Sequence, residues 1–401
     1  MQMCSTLIKQ AEKGRDWVVN CAAPIWFNNG IDWKQGGFYD ALELTTLANG
    51  ASRKRLRTAT RQIYVFSEAC RMGFHEGKAA VEHGLEFLYS KAQSPSGGYL
   101  SHFDLDCQPR SKDQDTYDLA FVLFSLAHSY RLLKRERERQ EALLLVEHLN
   151  THLRHPIVGF LEGSPHQEPR RQNPHMHLLE ASLAWLPFDE TGSFRRLADD
   201  LVSVFERHFW DPASGAIGEY FDDSLSRHWA ACKVVEPGHL FEWIWLLTQY
   251  QQATGKPQSH LDQIYRFAHS SGKNIKTGLL FGELGIEGNA PGATVRLWPH
   301  AEWIRAEVSV LESASSNHTT MLEQATTALW RFLDAAPAPG LWVERHDGSR
   351  DQFILEPAPA TSLYHIVGAF SALADSVAAH IPKPGYHAAP QEIQAYDVHS
   401  R

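Results

Sequence analysis

Cysteine is scarce in this chain of 401 residues. There are five, Cys4, Cys21, Cys70, Cys107 and Cys232, an odd number with no CxxC spacing. That argues against a disulfide framework or a cysteine zinc knuckle and predicts reduced thiols in a cytoplasmic protein. No apolar run approaches the ~18 residues of a membrane span. The polar, charged stretch from Met1 to Trp17 lacks the apolar segment of a signal peptide. Basic blocks are missing too, and 38 Lys plus Arg against 47 Asp plus Glu leave a net charge of −9. Nucleic acid and anionic membrane are therefore poor partners. The chain has no GxGxxG, GxxxxGK[ST] or GxSxG, so nucleotide-loop and serine-hydrolase readings lack their anchors. No low-complexity or Pro/Ser-rich linker interrupts it, and residues 1–401 read as one domain.

What remains is a chain that is 43% apolar and rich in His (22), Trp (12) and Tyr (12). Hydrophobic periodicity predicts about twelve helices, near 4–21, 51–72, 76–93, 114–133, 136–153, 174–186, 193–209, 237–253, 258–271, 299–313, 317–335 and 361–379. Even-numbered helices run into the next helix through short turns such as Met72-Gly73-Phe74 and Lys134-Arg135. Odd-numbered ones run into long loops that resemble one another: Gly36-Gly37-Phe38-Tyr39, Gly97-Gly98-Tyr99-Leu100, Gly159-Phe160-Leu161, Gly215-Ala216-Ile217, Gly278-Leu279-Leu280 and Gly340-Leu341-Trp342. Asp347-Gly348 between alternating flanks is a hairpin signal. A unit of helix, short turn, helix, long loop is a helical repeat. Six such pairs close into a ring in which the even helices form an inner, parallel layer. Their N-termini and the long loops then gather at one end, around a pocket. An open solenoid is the alternative.

The inner-helix starts carry the chemistry. Asn173-Pro174-His175-Met176-His177-Leu178-Leu179-Glu180, Glu236-Pro237-Gly238-His239-Leu240-Phe241-Glu242 and Trp298-Pro299-His300-Ala301-Glu302 each place Pro at the first helical turn, then His and Glu among apolar residues. A buried imidazole or carboxylate needs a partner or a task. Asn173, His177 and Glu180 share one helical face; His175 lies about 200° round from His177 and cannot join it. His365 sits in an apolar stretch of the last helix. HxH is poor ligand spacing on a helix, and Glu236-x-x-His239 has no second copy, so no metal is expected. Histidine, with an ordinary pKa of ~6.5, suits proton removal beside a carbonyl and its return elsewhere.

These runs, with Arg-Leu-Trp-Pro-His-Ala-Glu-Trp at 296–303 and His365, resemble the N-acylglucosamine 2-epimerase superfamily, in particular its mannose isomerase and sulfoquinovose isomerase branch. The resemblance covers nearly the whole chain. It implies an all-α fold, an (α/α)6 barrel, with short β-hairpins in the long loops at one end. It implies a cofactor-free enzyme that passes a monosaccharide through an enediol, with His239 and His365 as general acid and base and Glu242 beside His239 to tune or orient it. Arg61, Tyr117, Asn173, His177, Glu180 and Trp298 match substrate-pocket positions. Glu302 either joins them or holds a neighbouring histidine. The Asn-Pro-His-Met-His run favours an aldose–ketose isomerase of the mannose–fructose type over a 2-epimerase on an N-acylated sugar. A more distant alternative is an (α/α)6 glycoside hydrolase, which would need a carboxylate pair; the non-enzymatic alternative is a helical interaction scaffold. The expected state is a monomer or homodimer.

Overall fold

The structure, a computed structural model, describes residues 5–226, 233–290, 292, 294–311 and 317–380. The first helical span is α1 (Ser5–Trp17), a π turn at 18–22, and α2 (Ala23–Asn29). Then follow α3 (Leu56–Met72), α4 (Gly77–Phe87), α5 (Thr116–Leu133), α6 (Glu136–His152), α7 (Asn173–Trp185) and α8 (Ser193–Val204). The chain continues through α9 (Pro237–Thr254), α10 (Leu261–Ser271), α11 (Trp298–Leu311), α12 (Asn317–Asp334) and α13 (Leu363–His380). The twelve expected spans are recovered. The first runs on to residue 29 because the π turn shifts the hydrogen-bond pattern just ahead of Pro24, which has no N–H to give. The second starts at 56, since residues 54–55 form a strand instead. Residue 4 and residues 312–313, the ends of two expected helices, lie outside the described residues, as do Cys4 and Cys232. Cys21, Cys70 and Cys107 are free thiols.

Sequence separates the helices into two layers. In α3 the run Thr58–Cys70 is buried without a break, the mark of a helix enclosed on all sides. In α8 only one stripe is buried, Phe194, Leu197, Ala198, Leu201 and Val202. The enclosed helices α3, α5, α7, α9, α11 and α13 each pack on the next, and α13 packs back on α3. Outside them, α4, α6, α8, α10 and α12 each pack on the inner helix they follow, and α1 covers α13. The molecule is an (α/α)6 barrel closed by its first outer and last inner helix. No helix among the described residues is long and apolar enough to cross a membrane.

The long loops are knitted together at one end. Each opens with a tight turn closed by a single bridge, as in Ile31 with Phe38, Arg154 with Phe160 and Trp210 with Ile217. The expected hairpin at Asp347-Gly348 joins Arg345–Asp347 to Gln352–Ile354. The remaining strands are not hairpins: they pair one loop with the next. Lys54–Arg55 pairs with His102–Phe103, Gln114–Asp115 with Gly163–Ser164, Arg170–Arg171 with Tyr220–Phe221, and Val234–Val235 with Leu284–Gly285. Thr294–Arg296 pairs with the Arg345–Asp347 strand, and Ala41–Leu42 with Ala358–Pro359, which completes the circle.

At the closing seam Gly340 has φ +92°, and a Cβ there would lie 2.6 Å from the carbonyl carbon of Cys21. Gly340→Ala is expected to cost about 2–3 kcal/mol, since backbone strain adds to a collision that backbone cannot relieve. Gly255 has φ +71° but open space around it, so Gly255→Ala should cost about 1 kcal/mol. Equal losses in chemical denaturation would contradict this account of the seam.

Candidate active site

A cavity of about 140 Å3 opens among the N-terminal ends of the inner helices. Its wall includes Arg61 from α3, Tyr117 from α5, Asn173 and His177 from α7, His239 and Glu242 from α9, Trp298 from α11 and His365 from α13. Eight of the ten residues expected from the sequence thus reach one cavity. Glu180 and Glu302 do not line it; they are buried beneath it and hold other side chains. Glu236, Arg296, Thr361 and Ser362 complete the wall.

His175 and His300 explain why proline-started helices carry histidines that never reach the site. Nε2 of His175 accepts the Phe160 N–H at 2.9 Å, and Nε2 of His300 accepts the Leu280 N–H at 2.9 Å. Both are wholly buried and neutral, burial pulling His175 down to about 3 and His300 to about 4. They clamp a loop turn to a helix start. In α9 the same slot holds Gly238, where a Cβ would lie 2.5 Å from the Trp298 ring. That glycine lets the Trp298 indole settle between the two candidate histidines, 4.9 Å from the His239 ring and 5.3 Å from the His365 ring.

The two imidazoles are held in opposite protonation states. Nδ1 of His239 donates to Glu219, 2.9 Å from both carboxylate oxygens. Burial pulls this histidine down, but Glu219, then Glu236, outweigh it and push it up to about 10. Its Nε2 meets the Asn173 amide, with Nδ2 at 3.2 Å. Oδ1 of Asn173 is buried without a partner; turning the amide over brings that acceptor to the protonated Nε2. Nδ1 of His365 donates to Glu302 at 2.6 Å, which leaves Nε2 for the cavity. Burial, then the positive Arg61, drive His365 well below its ordinary value, so it is neutral.

The expectation that Glu242 orients His239 is corrected by this geometry. Glu219 does that, while Glu242 faces the other way. Its oxygens accept no hydrogen bond, and Oε1 lies 3.8 Å from Nδ1 of His177. Burial, then the nearby Glu302 and Glu180, raise Glu242 well above the carboxylate range, so it is a neutral acid that can donate. Glu302 is pushed up to about 7 by burial, against the pull of Arg305. Arg305 donates to Glu302 at 3.0 Å and to Glu180 at 2.9 Å. Glu180 also accepts from Nδ1 of His177 at 3.0 Å and from the Tyr364 hydroxyl. Arg61 is fixed by the Thr361 carbonyl at 3.2 Å, by the Tyr117 hydroxyl, and by the Phe121 ring 4.2 Å below it.

Around the cavity, ligand-type atoms of the described residues cluster within 4.8 Å in three places, His177/Glu180/Glu242, Glu219/Glu236/His239 and Glu242/Glu302/His365. Yet in each one carboxylate, Glu180, Glu219 or Glu302, already accepts from the imidazole Nδ1, and Arg305 supplies the cation for two of these three. A metal would have to displace the bonds that aim the rings. The donor set instead suits proton transfer: an imidazolium and a neutral imidazole flank one cavity, the pattern that separates acid from base.

Glu219 and Arg305 were not picked out from the sequence. A signal for Glu219 exists in the repeat. Asp40, Glu162 and Glu219 each follow the closing residue of a loop turn by two positions. Asp40 accepts from Arg55 and Thr58, and Glu162 from Arg171, so each acid anchors the start of an inner helix. With Glu219, in the fourth loop, the anchored group is a cavity histidine. Because His239 is raised above its unfolded value, the stability gained from the pair is full below pH ~6.5. It is lost as pH climbs through about 10. Glu219→Gln should move the His239 titration down by about 1–3 pH units, read by nitrogen-15 NMR of the imidazole. An unmoved titration would remove Glu219 from this role.

Comparison with known proteins agrees with the fold. The sequence pattern of the family described as N-acylglucosamine 2-epimerase (GlcNAc 2-epimerase) matches residues 36–369. A mannose-6-phosphate isomerase of Rhizobium meliloti (strain 1021) is 32% identical over 394 residues, covering 91% of this chain and 97% of its own. A D-mannose isomerase of Marinomonas mediterranea is 24% identical, covering 86% of this chain and 92% of its own. Among solved structures, a D-mannose isomerase superposes with a TM-score of 0.80 at 20% identity, over 94% of this chain and all of that one (100%). The family match runs from the first loop turn to the last inner helix and takes in all eight expected residues that line the cavity: the chain belongs to the N-acylglucosamine 2-epimerase family.

Proposed function

We propose that this chain, acting as one (α/α)6 domain, is an aldose–ketose isomerase for a hexose of the mannose–fructose type, working by acid/base proton transfer without a metal. The observation that carries the reading is the inverted pair: a protonated His239 and a neutral His365 on one cavity, with Trp298 between their rings. On the ring-opened sugar, His365 Nε2 takes the proton from C2. His239 gives its Nε2 proton to the carbonyl oxygen at C1, which yields the enediol. His365 then returns its proton to C1, and His239 recovers one from the C2 hydroxyl as the ketone forms. Arg61 and the neutral Glu242 donate to the sugar oxygens, and helix N-termini around the cavity favour the negative charge that develops there.

The cavity of about 140 Å3 is lined almost wholly by polar side chains, as a site for a single sugar ring would be. Arg61 is committed to Tyr117 and the Thr361 carbonyl, and Arg296 faces Glu344 at 3.4 Å. Arg61 keeps a buried Nε without a partner for the sugar oxygens, and Arg296 stays half-exposed on the cavity wall, so charge leaves a 6-phosphate open. A second reading, 2-epimerisation, follows if the imidazolium of His239 returns its proton to the opposite face of C2 rather than to oxygen.

Proton NMR of mannose with the enzyme in heavy water should show fructose and exchange of the C2 hydrogen. Cellobiose should turn over far more slowly, and the rates on mannose and mannose 6-phosphate decide whether the sugar carries a phosphate. Glucose as the first product, without fructose, would select the epimerase reading. His239→Ala or His365→Ala should each lose at least about 10²-fold in turnover with the fold intact, and exhaustive chelation should leave the rate unchanged. The base must be neutral and the acid charged. Activity therefore falls on the acid side only well below pH ~6.5, and on the alkaline side as pH rises through about 10. A kcat/KM profile centred on a single histidine-like pKa near 6.5 would contradict the assignment.

A further inference from the structure

Away from the cavity, at the seam between the first two repeats, Lys54 is almost wholly buried beside the equally buried Cys107. Nζ of Lys54 lies 2.7 Å from Oδ2 of Asp32, 2.8 Å from the Gly36 carbonyl and 2.7 Å from the Leu105 carbonyl. Three oxygen acceptors use the three N–H bonds of an ammonium. Sγ of Cys107 is a fourth neighbour at 3.3 Å, and the lysine does not need it. The thiol has its own acceptor, the Gly36 carbonyl at 3.2 Å. Its placement comes at a conformational cost: Cys107 has φ +61°, a left-handed conformation uncommon for a side chain of this kind. Asp104 holds the loop there, accepting from the Gln108 N–H at 2.8 Å through its side chain and from the Cys107 N–H at 3.2 Å through its carbonyl. The neighbouring Leu105 and Asp106 are exposed, so the thiol lies under a thin surface loop.

We propose that Lys54 and Cys107 form a reversible covalent cross-link on oxidation, an N–O–S bridge between Nζ and Sγ. The oxidant is hydrogen peroxide. One molecule oxidises the thiol to a sulfenic acid with loss of one water. A second oxidises the amine, and nitrogen and sulfur become joined through one oxygen as two further waters leave. Sulfur and nitrogen each lose two electrons, and the two peroxides are reduced. The proton released by the ammonium passes to Asp32, already 2.7 Å away. A 3.3 Å gap suits a single bridging atom with little movement of either loop. Dithiol reductant reverses the step, returning the amine and the thiol with the bridging oxygen lost as water. The product ties the 54–55 strand covalently to the 104–108 loop, where hydrogen bonds otherwise join them.

The test is peptide mapping of the full chain after graded peroxide, alkylation under denaturing conditions and tryptic digestion. Expected is one linked peptide pair containing Lys54 and Cys107, heavier than the sum of its parts by one oxygen and lighter by two hydrogens. Cleavage after Lys54 should fail in that species and return after dithiol treatment. Cys70, buried without a lysine contact of this kind, is the internal comparison and should give no such pair. Lys54→Arg keeps the charge and should send Cys107 on to sulfinic acid with no linked pair. If wild-type Cys107 stays fully alkylatable, or reaches sulfinic acid without any linked pair forming, the proposal is wrong.

Discussion

A guanidinium enclosed within the barrel underlies the whole site. Arg305 is reached by two carboxylates, Glu302 from one turn earlier on its own helix and Glu180 from α7. Through Glu302 it governs the ring of His365, and through Glu180 the ring of His177 and the hydroxyl of Tyr364. Taking such ions out of water is favourable only if every one is paired and hydrogen-bonded, and removing one partner of a buried set typically costs about 3–5 kcal/mol. Four helices, α7, α9, α11 and α13, bring acids or imidazoles to this layer. Its charge balance therefore constrains how closely they pack.

The same burial acts on two histidines with opposite results. Low polarity disfavours charge on both. His239 escapes because Glu219 lies against its Nδ1 and Glu236 is close by, whereas His365 faces Arg61, Arg305 and a carboxyl that burial has itself pushed toward neutrality. One ring is thus poised to give a proton and the other to take one, with no change in residue type. Enediol chemistry needs such a pair on adjacent sugar atoms, and a closed ring of parallel inner helices brings both to one small space.

How far the chain could be read in advance differs residue by residue. The separation of His175 from His177 followed from ~100° per helical step, and the structure puts one on a loop turn and the other on the cavity wall. Glu302 had two readings, and its bond to His365 takes the second. The resemblance puts Glu242 beside His239, and positions i and i+3 do share a helical face. The shared face was real, but Glu219, from a loop, occupies the histidine's back. Arg305 carried no signal, since an arginine on a helix is solvated by default. Strand pairing between successive loops was invisible because two-residue strands leave no alternation to detect.

Local rules sufficed for the repeat, the order of long and short connections, and hence for the end of the barrel where proline-started helices collect their histidines and acids. Those features depend on periodicity and on neighbours a few positions apart, which the chain carries in its own order. Protonation states and the pairing of each ring with its carboxylate depended on tertiary packing. Glu219 stands 20 residues from His239, Glu302 stands 63 from His365, and Tyr364 stands 184 from Glu180. Electrostatic energy falls with distance in space and rises with exclusion of water, and neither quantity exists until the ring has closed.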